Sequence, residues 1–375
     1  GLCIRDRGES GAVIVMNPKT GGILALASFP DFDPNLFSGG IDPENWNRLL
    51  ENPEHPMENK AIQGLYAPGS IFKVVTAYAG LEKGAITPET EYVCNGFFHV
   101  KGRSEPFKCW KETGHGRVKL HDAIKGSCNV FFYNTGMGAG VDELHKFASL
   151  FRLGKLTGVG LLNEKAGLIP SSSWKKRVLN EPWYGGETPS MSIGQGFIIV
   201  TPLQVINMIN ILANDGMWVP PRLFLEDEGT IPQQIPLNKE YLSLIRKGMV
   251  AVVNEAGGTA RKVQFEEFTV AGKTATSQVI SHKTMETLDE EAKLKKEFQN
   301  HAWFVAFGPA EDPEISVIAL VEHGGGGSRA AAPVVRKILN YYIDNIYKPK
   351  SKKTVQTNFE SKNFKFRTRL QMAFN

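Results

Sequence analysis

The chain has 375 residues, of which 42% are hydrophobic, so it is long enough to bury the core of one large domain. Its formal net charge of +4 is too small to indicate nucleic acid binding, and we expect no nucleic acid partner. No run of residues reaches the roughly 18 apolar positions that a membrane span needs, and no signal-peptide pattern follows the initial Gly. We therefore expect an excised, soluble part of a longer protein.

The first predicted elements are a β-hairpin and a helix. Residues 12–16 and 23–28 are apolar or alternate in polarity, and Pro18 to Gly22 between them supply turn residues. The stretch from Ser70 to about Lys83 has helical spacing, and it is followed by a glycine at the position of a C-terminal cap.

A serine that could act as a nucleophile stands where this helix is predicted to begin. Ser70 and Lys73 are three positions apart, so the hydroxyl and the amine share one helix face. An unprotonated lysine can take the proton of the serine, provided that burial or nearby positive charge lowers its pKa from about 10.4. Alone, this spacing occurs by chance about once in a chain of this length.

Two further motifs follow along the chain. Ser127-Cys128-Asn129 lies between an amphipathic stretch at 120–124 and an aromatic run at 130–133. Residues 268–280 are predicted to form a strand, which carries the motif Lys273-Thr274-Ala275-Thr276. The order Ser-x-x-Lys, Ser-x-Asn, Lys-Thr-Gly is the signature of the penicilloyl-serine transferases.

The remaining elements complete a mixed α/β pattern. A helix is predicted to begin at Thr201-Pro202 and to end at Gly216, where a capping residue, a proline and a glycine stand in the expected places. Strands at both ends with helices between them fit a sheet that pairs the two ends of the chain. The other predicted segments are a charged, mobile excursion at 282–298, strands at 301–308 and 314–322, and a final helix at about 330–347.

The chain resembles the class B penicillin-binding proteins, and most of all their elongation-type branch, penicillin-binding protein 2. The resemblance covers residues 11 to 347 and implies an α/β (α+β) penicilloyl-serine transferase fold, with a five-stranded antiparallel sheet flanked by helices and an all-helical subdomain that holds the second motif. The motifs that add to it are the hairpin Gly11–Ser28, Asp33-Pro34-Asn35, Asn59-Lys60-Ala61-Ile62, Ser192-Ile193-Gly194-Gln195-Gly196, Thr201-Pro202-Leu203-Gln204 and His301-Ala302-Trp303-Phe304.

The same resemblance implies the domain organisation and location. Residues 1–347 would form the transpeptidase domain, with an irregular lead-in at 1–10, and an N-terminal membrane anchor and pedestal would be absent from this chain. The domain would lie on the outer, periplasmic side of the cytoplasmic membrane. We expect the basic tail at 348–375 to be disordered, although attraction to anionic lipid or to a partner stays open as a second interpretation.

The residue types suit acyl transfer through a serine ester. Ser70 would attack a carbonyl while Lys73 takes its proton, Ser127 would relay a proton to the leaving amine, and Asn129 would hold Lys73 and the bound peptide. The resemblance implies a peptidoglycan D,D-transpeptidase of cell-wall elongation, a reaction that needs no cofactor. Expected partners are peptidoglycan stem peptides, β-lactams, and elongation-complex membrane proteins that include a glycosyltransferase.

The third motif is expected to bind the terminal carboxylate of the substrate. Lys273 would supply positive charge, and the hydroxyls of Thr274 and Thr276 would donate charge-assisted hydrogen bonds. By the resemblance, the backbone amides of Ser70 and Thr276 would form the oxyanion hole. Ala275 departs from the family glycine, and its methyl group would either crowd the acyl group or turn inward without effect.

Two alternatives to a transpeptidase stay open. A β-lactamase or β-lactam sensor domain would share the same serine and lysines, although no Glu-x-x-x-Asn-type base for water activation is evident in the right interval. A scaffold that has lost turnover through Ala275 is the other alternative.

A second constellation lies close to the second motif. Three thiols and an imidazole fall within 35 residues and suit tetrahedral structural Zn²⁺. Because Cys128 stands between Ser127 and Asn129, its side chain is expected to point away from the pocket. The predicted ligands are Cys94, Cys109, His115 and Cys128.

Other arrangements of these residues are possible. A Cys94–Cys109 disulfide is the main alternative, since an extracytoplasmic compartment is oxidising. His121 competes with His115 as a ligand, but His115 lies in a Gly-His-Gly loop that is freer to fold onto a metal. Cys3 lies outside the cluster and is expected to be free.

Overall fold

The computed structural model describes residues 10–224, 231–266, 268–279, 291 and 295–347. Cys3, most of the predicted lead-in and excursion, and the whole basic tail lie outside these residues. The strands are β1 (Gly11–Met16), β2 (Ile23–Phe29), β3 (Tyr92–Cys94), β4 (Phe97–Phe98), β5 (Phe107–Lys108), β6 (Gly116–Val118), β7 (Met217–Trp218), β8 (Gln233–Gln234), β9 (Ala271–Ser277), β10 (His301–Gly308) and β11 (Ile315–Val321).

The helices lie mostly between β2 and β9. Short 3₁₀ turns occur at Pro34–Phe37, Gly69–Ile71, Gly185–Glu187, Arg261–Val263 and Lys296–Phe298. The α-helices are α1 (Pro43–Leu50), α2 (Lys73–Glu82), α3 (Leu120–Lys125), α4 (Asn129–Ala139), α5 (Val141–Leu150), α6 (Ser172–Leu179), α7 (Thr188–Ser192), α8 (Pro202–Ala213), α9 (Lys239–Asn254) and α10 (Ala331–Asn345).

The central sheet pairs the two ends of the chain, as predicted. Its order is β2-β1-β11-β10-β9, and every neighbouring pair is antiparallel. In the register Ile14 lies opposite Ile318, and Ile318 lies opposite Val305. On the far side of β10, Val305 pairs with Lys273, which places the third motif on the edge strand β9.

Burial on both faces explains the apolar character of the inner strands. All seven residues of β11 are buried, and because successive side chains point to opposite faces, both faces of this strand are covered. The helix α8 packs on β1, β10 and β11, and α9 packs on β9. At the start of α8, Thr201 and Gln204 form a capping box, and Pro202 occupies the first turn.

The second motif lies in a helical region built around α2. This helix is almost wholly buried and packs against α4, α5 and α9. The sequence did not predict two short antiparallel pairs that precede the second motif, β3 with β6 and β4 with β5.

In the described part of the chain, none of the helices has the length and apolarity required to cross a bilayer. The chain separates into two compact units, residues 1–339 and 340–375. The central sheet, the helices through α9 and the three motifs belong to the first unit.

Candidate active site

The predicted nucleophile lies on a tight turn beside the edge strand. Ser70 is half-buried within the 3₁₀ turn Gly69–Ile71, and α2 begins only at Lys73. Gly69 has φ +53°, and a β-carbon there would lie 3.0 Å from the carbonyl oxygen of Thr276. Glycine therefore allows the turn to approach β9 closely, which brings Ser70 next to the third motif.

The Lys73 amine is surrounded by the second motif. It donates to the backbone oxygen of Ser127 at 2.8 Å, to Ser127 Oγ at 3.1 Å and to Asn129 Oδ1 at 2.7 Å. Burial lowers the pKa of Lys73 to about 8, because the charged form is disfavoured away from water. Within the described residues no hydrogen bond joins Lys73 to Ser70 in this state, and such bonds are often completed only when substrate binds.

A second buried amine reaches the same hydroxyl. Lys273 Nζ donates to Ser127 Oγ at 2.9 Å and to the backbone oxygen of Thr274 at 3.1 Å. Burial, and then the charge on Lys73, hold the pKa of Lys273 well below its usual range. The Ser127 hydroxyl thus lies between two amines that lose protons easily, which suits it to pass a proton.

The hydroxyls of the third motif lie on the other face of β9. Side chains alternate along a strand, so Thr274 and Thr276 face away from Lys273. Thr276 is exposed, whereas the Thr274 hydroxyl lies 2.8 Å from the hydroxyl of Thr259. Thr259 was missed by sequence reasoning, because a lone threonine before the strand carries no recognisable pattern.

The methyl group of Ala275 points inward, toward the nucleophile turn. Ala275 shares the face of Lys273 and is only 3% exposed. Its β-carbon lies 3.3 Å from the place that a β-carbon on Gly69 would occupy. The geometry therefore favours the second predicted outcome, in which the methyl group turns inward, away from the face of β9 on which Thr276 is exposed.

The four predicted metal ligands come together behind the second motif. Their ligand atoms all lie within 4.8 Å of one another, and the three cysteines are free and buried. His115 Nδ1 lies 3.6 Å from Cys94 Sγ and 3.5 Å from Cys109 Sγ. These separations match the sulfur–nitrogen edge of about 3.5 Å expected for tetrahedral zinc. Cys128 lies in this cluster while Ser127 and Asn129 face Lys73, as predicted from the position of Cys128 between them.

The hydrogen bonds of the cluster leave one ring nitrogen of His115 directed at the thiols. His115 Nε2 lies 3.2 Å from the Gly126 carbonyl oxygen, which can only accept, so Nε2 donates and Nδ1 is the ring nitrogen that could bind a metal. A hydrogen bond from the Cys128 thiol holds the pKa of Cys109 well below its usual range, and the same bond raises the pKa of Cys128, so the two sulfurs share one proton. His121 is the competing histidine, and it pairs instead with Glu255 at 3.1 Å.

Comparison with known proteins places the chain in a family. The profile of the penicillin binding protein transpeptidase domain matches residues 11–340. A curated relative, peptidoglycan D,D-transpeptidase MrdA of Haemophilus influenzae, is 38% identical over 90% of this chain and 53% of its own length. MrdA of Escherichia coli is 34% identical over 90% of this chain and 54% of its own length. The chain thus spans about half the length of these relatives.

Solved structures agree in fold. Penicillin-binding protein 2 (PBP2) of Pseudomonas aeruginosa, in complex with WCK 5153, is 33% identical and superposes with a TM-score of 0.81 over 93% of this chain and 74% of that one. Helicobacter pylori PBP2, in complex with MreC, is 33% identical with a TM-score of 0.82 over 91% of this chain and 61% of that one. The predicted fold is confirmed, and the chain belongs to the penicillin-binding protein transpeptidase family.

Proposed function

We propose that this chain is the catalytic domain of an elongation-type peptidoglycan D,D-transpeptidase. The observation that carries the proposal is the Ser127 hydroxyl, which lies between the buried amines of Lys73 and Lys273. The turn that carries Ser70 packs directly against the edge strand that holds the third motif. A nucleophile, a base and a proton relay beside the strand β9 are the parts that acyl transfer from a peptide needs.

In the first half-reaction an ester forms and a peptide bond breaks. Ser70 Oγ attacks the stem-peptide carbonyl, and its proton passes to the neutral Lys73 amine. Ser127 relays a proton to the leaving amine, which departs as the acyl-enzyme ester forms. The lowered pKa of Lys73, about 8, supports its role as the base, since a general base works best when its pKa lies near the working pH.

In the second half-reaction the amino group of a neighbouring stem attacks the ester and releases Ser70, which forms the cross-link. The developing oxyanion would be bound by the backbone amides of Ser70 and Thr276. The exposed Thr276 hydroxyl and the Thr274 hydroxyl would bind the substrate carboxylate. Thr259 would orient the Thr274 hydroxyl through their shared hydrogen bond.

We also propose that Cys94, Cys109, His115 and Cys128 bind a structural Zn²⁺. The sulfur–nitrogen separations and the donor role of His115 Nε2 support this assignment. When bound, the ion would cross-link the segment from β3 to α4 and supply no catalytic chemistry. The free cysteines argue against a Cys94–Cys109 disulfide.

The similarity to longer relatives also supports a location and partners. We propose that the whole protein is anchored in the cytoplasmic membrane with this domain on the outer, periplasmic side. The H. pylori PBP2–MreC complex supports an elongation-complex partner. A further solved structure, of a peptidoglycan synthase complex that coordinates polymerization and crosslinking, supports a glycosyltransferase partner; it is 34% identical with a TM-score of 0.77.

A turnover assay tests the proposed activity against its alternatives. The protein is incubated with a stem-peptide thioester and an amine acceptor, and the products are separated by mass. A transpeptidase should form the amide with the acceptor, and Ser70→Ala should form none. Hydrolysis without amide formation would indicate a hydrolase, and a stable acyl-enzyme without turnover would indicate a sensor or a scaffold.

A further inference from the structure

Trp110 donates one hydrogen to two carbonyl groups of the second motif. Its indole Nε1 lies 3.0 Å from the Ser127 oxygen and 3.1 Å from the Gly126 oxygen. The residue is 57% exposed, and its ring packs edge-on against the His115 ring, with the centroids 5.4 Å apart. An exposed tryptophan held by its N–H at this position needs an explanation beyond core packing.

The two carbonyl groups flank a single α-carbon, that of Ser127. One peptide precedes this atom and the other follows it, so a donor that binds both oxygens restricts φ and ψ of Ser127 together. This restriction matters because Ser127 has φ +53°, a left-handed conformation that a residue other than glycine adopts only where its surroundings hold it.

Each of these oxygens also has a second donor. The Ser127 oxygen accepts from Lys73 Nζ at 2.8 Å, and the Gly126 oxygen accepts from His115 Nε2 at 3.2 Å. The indole hydrogen therefore lies between two carbonyl groups. One is bound by Lys73, and the other is bound by His115 of the thiol–imidazole cluster.

The backbone next to Trp110 also contacts the segment that carries the second motif. The Lys108 carbonyl accepts from Asn129 Nδ2 at 3.3 Å and from the Tyr133 hydroxyl at 3.1 Å. Residues 108–110 thus contact the second motif on both sides of Cys128, and Trp110 supplies the contact to the Ser127 backbone.

We propose that Trp110 is a positioning residue for acylation of Ser70. Its N–H fixes the backbone of Ser127 so that the hydroxyl stays between Lys73 and Lys273, 3.1 Å and 2.9 Å from their amines. Trp110 itself touches no reacting atom. The inference rests on the proposed function, because it assumes that Ser70 is acylated.

The test compares Trp110→Phe with the wild type and with Trp46→Phe, which alters an exposed tryptophan on α1. Stopped-flow acylation by a penicillin separates the dissociation constant of the initial complex from the acylation rate constant. In Trp110→Phe the rate constant should fall about tenfold, as expected when hydrogen bonds that act in the transition state are lost. The dissociation constant and metal content should stay unchanged, any fall in melting temperature should leave the protein folded at the assay temperature, and Trp46→Phe should behave as wild type.

A sulfur isostere at position 110, 3-benzothienylalanine, keeps the ring shape but has no N–H, and it should match Trp110→Phe. Either variant acylating at the wild-type rate would overturn the inference, and so would a loss of rate explained by lost metal or unfolded protein. A wild type that no penicillin acylates would instead overturn the proposed function. The two failures are therefore distinguishable.

Discussion

The turn at residues 127–129 separates two clusters of different chemistry. On one side Ser127 and Asn129 hydrogen-bond the Lys73 amine, and on the other Cys128 lies among thiols and an imidazole. The first cluster joins segments that are far apart in sequence, at 70–73, 127–129 and 273–276. The second is closed within residues 94–128. We infer that the first cluster performs the chemistry and the second holds the turn in place. Substitutions in the two clusters should therefore differ in their effects on acylation rate, metal content and stability.

The largest loss of acylation rate is expected for substitutions in the first cluster, around the Lys73 amine. Lys73→Ala removes the base, which contributes about 10²–10⁴-fold, and it also removes the amine that hydrogen-bonds Ser127 and Asn129. Acylation by a labelled penicillin should fall by at least that factor while metal content stays unchanged. Lys60→Ala, which removes another buried lysine, is the control for the loss of a buried side chain. Acylation of Lys73→Ala at the wild-type rate would assign the base to another residue.

Substitutions in the second cluster, that of the thiols and His115, should cause a smaller loss of acylation rate together with a loss of stability. Elemental analysis should find close to one zinc per chain, and Cys109→Ser should carry less. Because the metal acts through the turn, we expect acylation to slow by about 10–100-fold, the range seen when groups that support a site are removed. The large core should keep most of the domain folded. Absence of metal, together with a mass that indicates a Cys94–Cys109 bridge, would contradict the zinc assignment.

The pH dependence of acylation tests the burial of the amines. A base is active when deprotonated, so the acylation rate should rise about tenfold per pH unit below the pKa of Lys73, about 8, and level off above it. Acylation rates measured by stopped flow from about pH 6 to about pH 10, a range that includes this pKa, would show the rise and the plateau. A flat profile would contradict a neutral Lys73 as the base.

The smallest effects are expected at Ala275, where the chain departs from the family glycine. Because the methyl group already points toward Gly69, Ala275→Gly should leave the acylation rate within about twofold of wild type. Ala275→Val would crowd the nucleophile turn, at a cost of about 1–3 kcal/mol, and should slow acylation. Acylation rates and melting temperatures of both variants check this. A large gain of rate in Ala275→Gly would mean that the methyl group crowds the substrate.

The comparison of the two clusters also shows what the sequence could predict. The order of three motifs was enough to select the residues that the structure brings together around the Ser127 hydroxyl, and the place of Cys128 between Ser127 and Asn129 was enough to predict that it points away from them. The direction of the Ala275 methyl group depends on how closely Gly69 approaches β9, a contact between segments about 200 residues apart. Trp110 and Thr259 were missed for the same reason, since each acts through a partner that only the folded chain supplies.

The most direct test of the account is the site of covalent labelling. The protein is treated with excess β-lactam, and the adduct is located by intact mass and peptide mass mapping. We predict one adduct per chain, on Ser70, and none on Ser70→Ala, with Ser127→Ala labelled slowly at Ser70. An adduct on another residue, or no adduct at high β-lactam concentration, would contradict the assignment of Ser70 as the nucleophile.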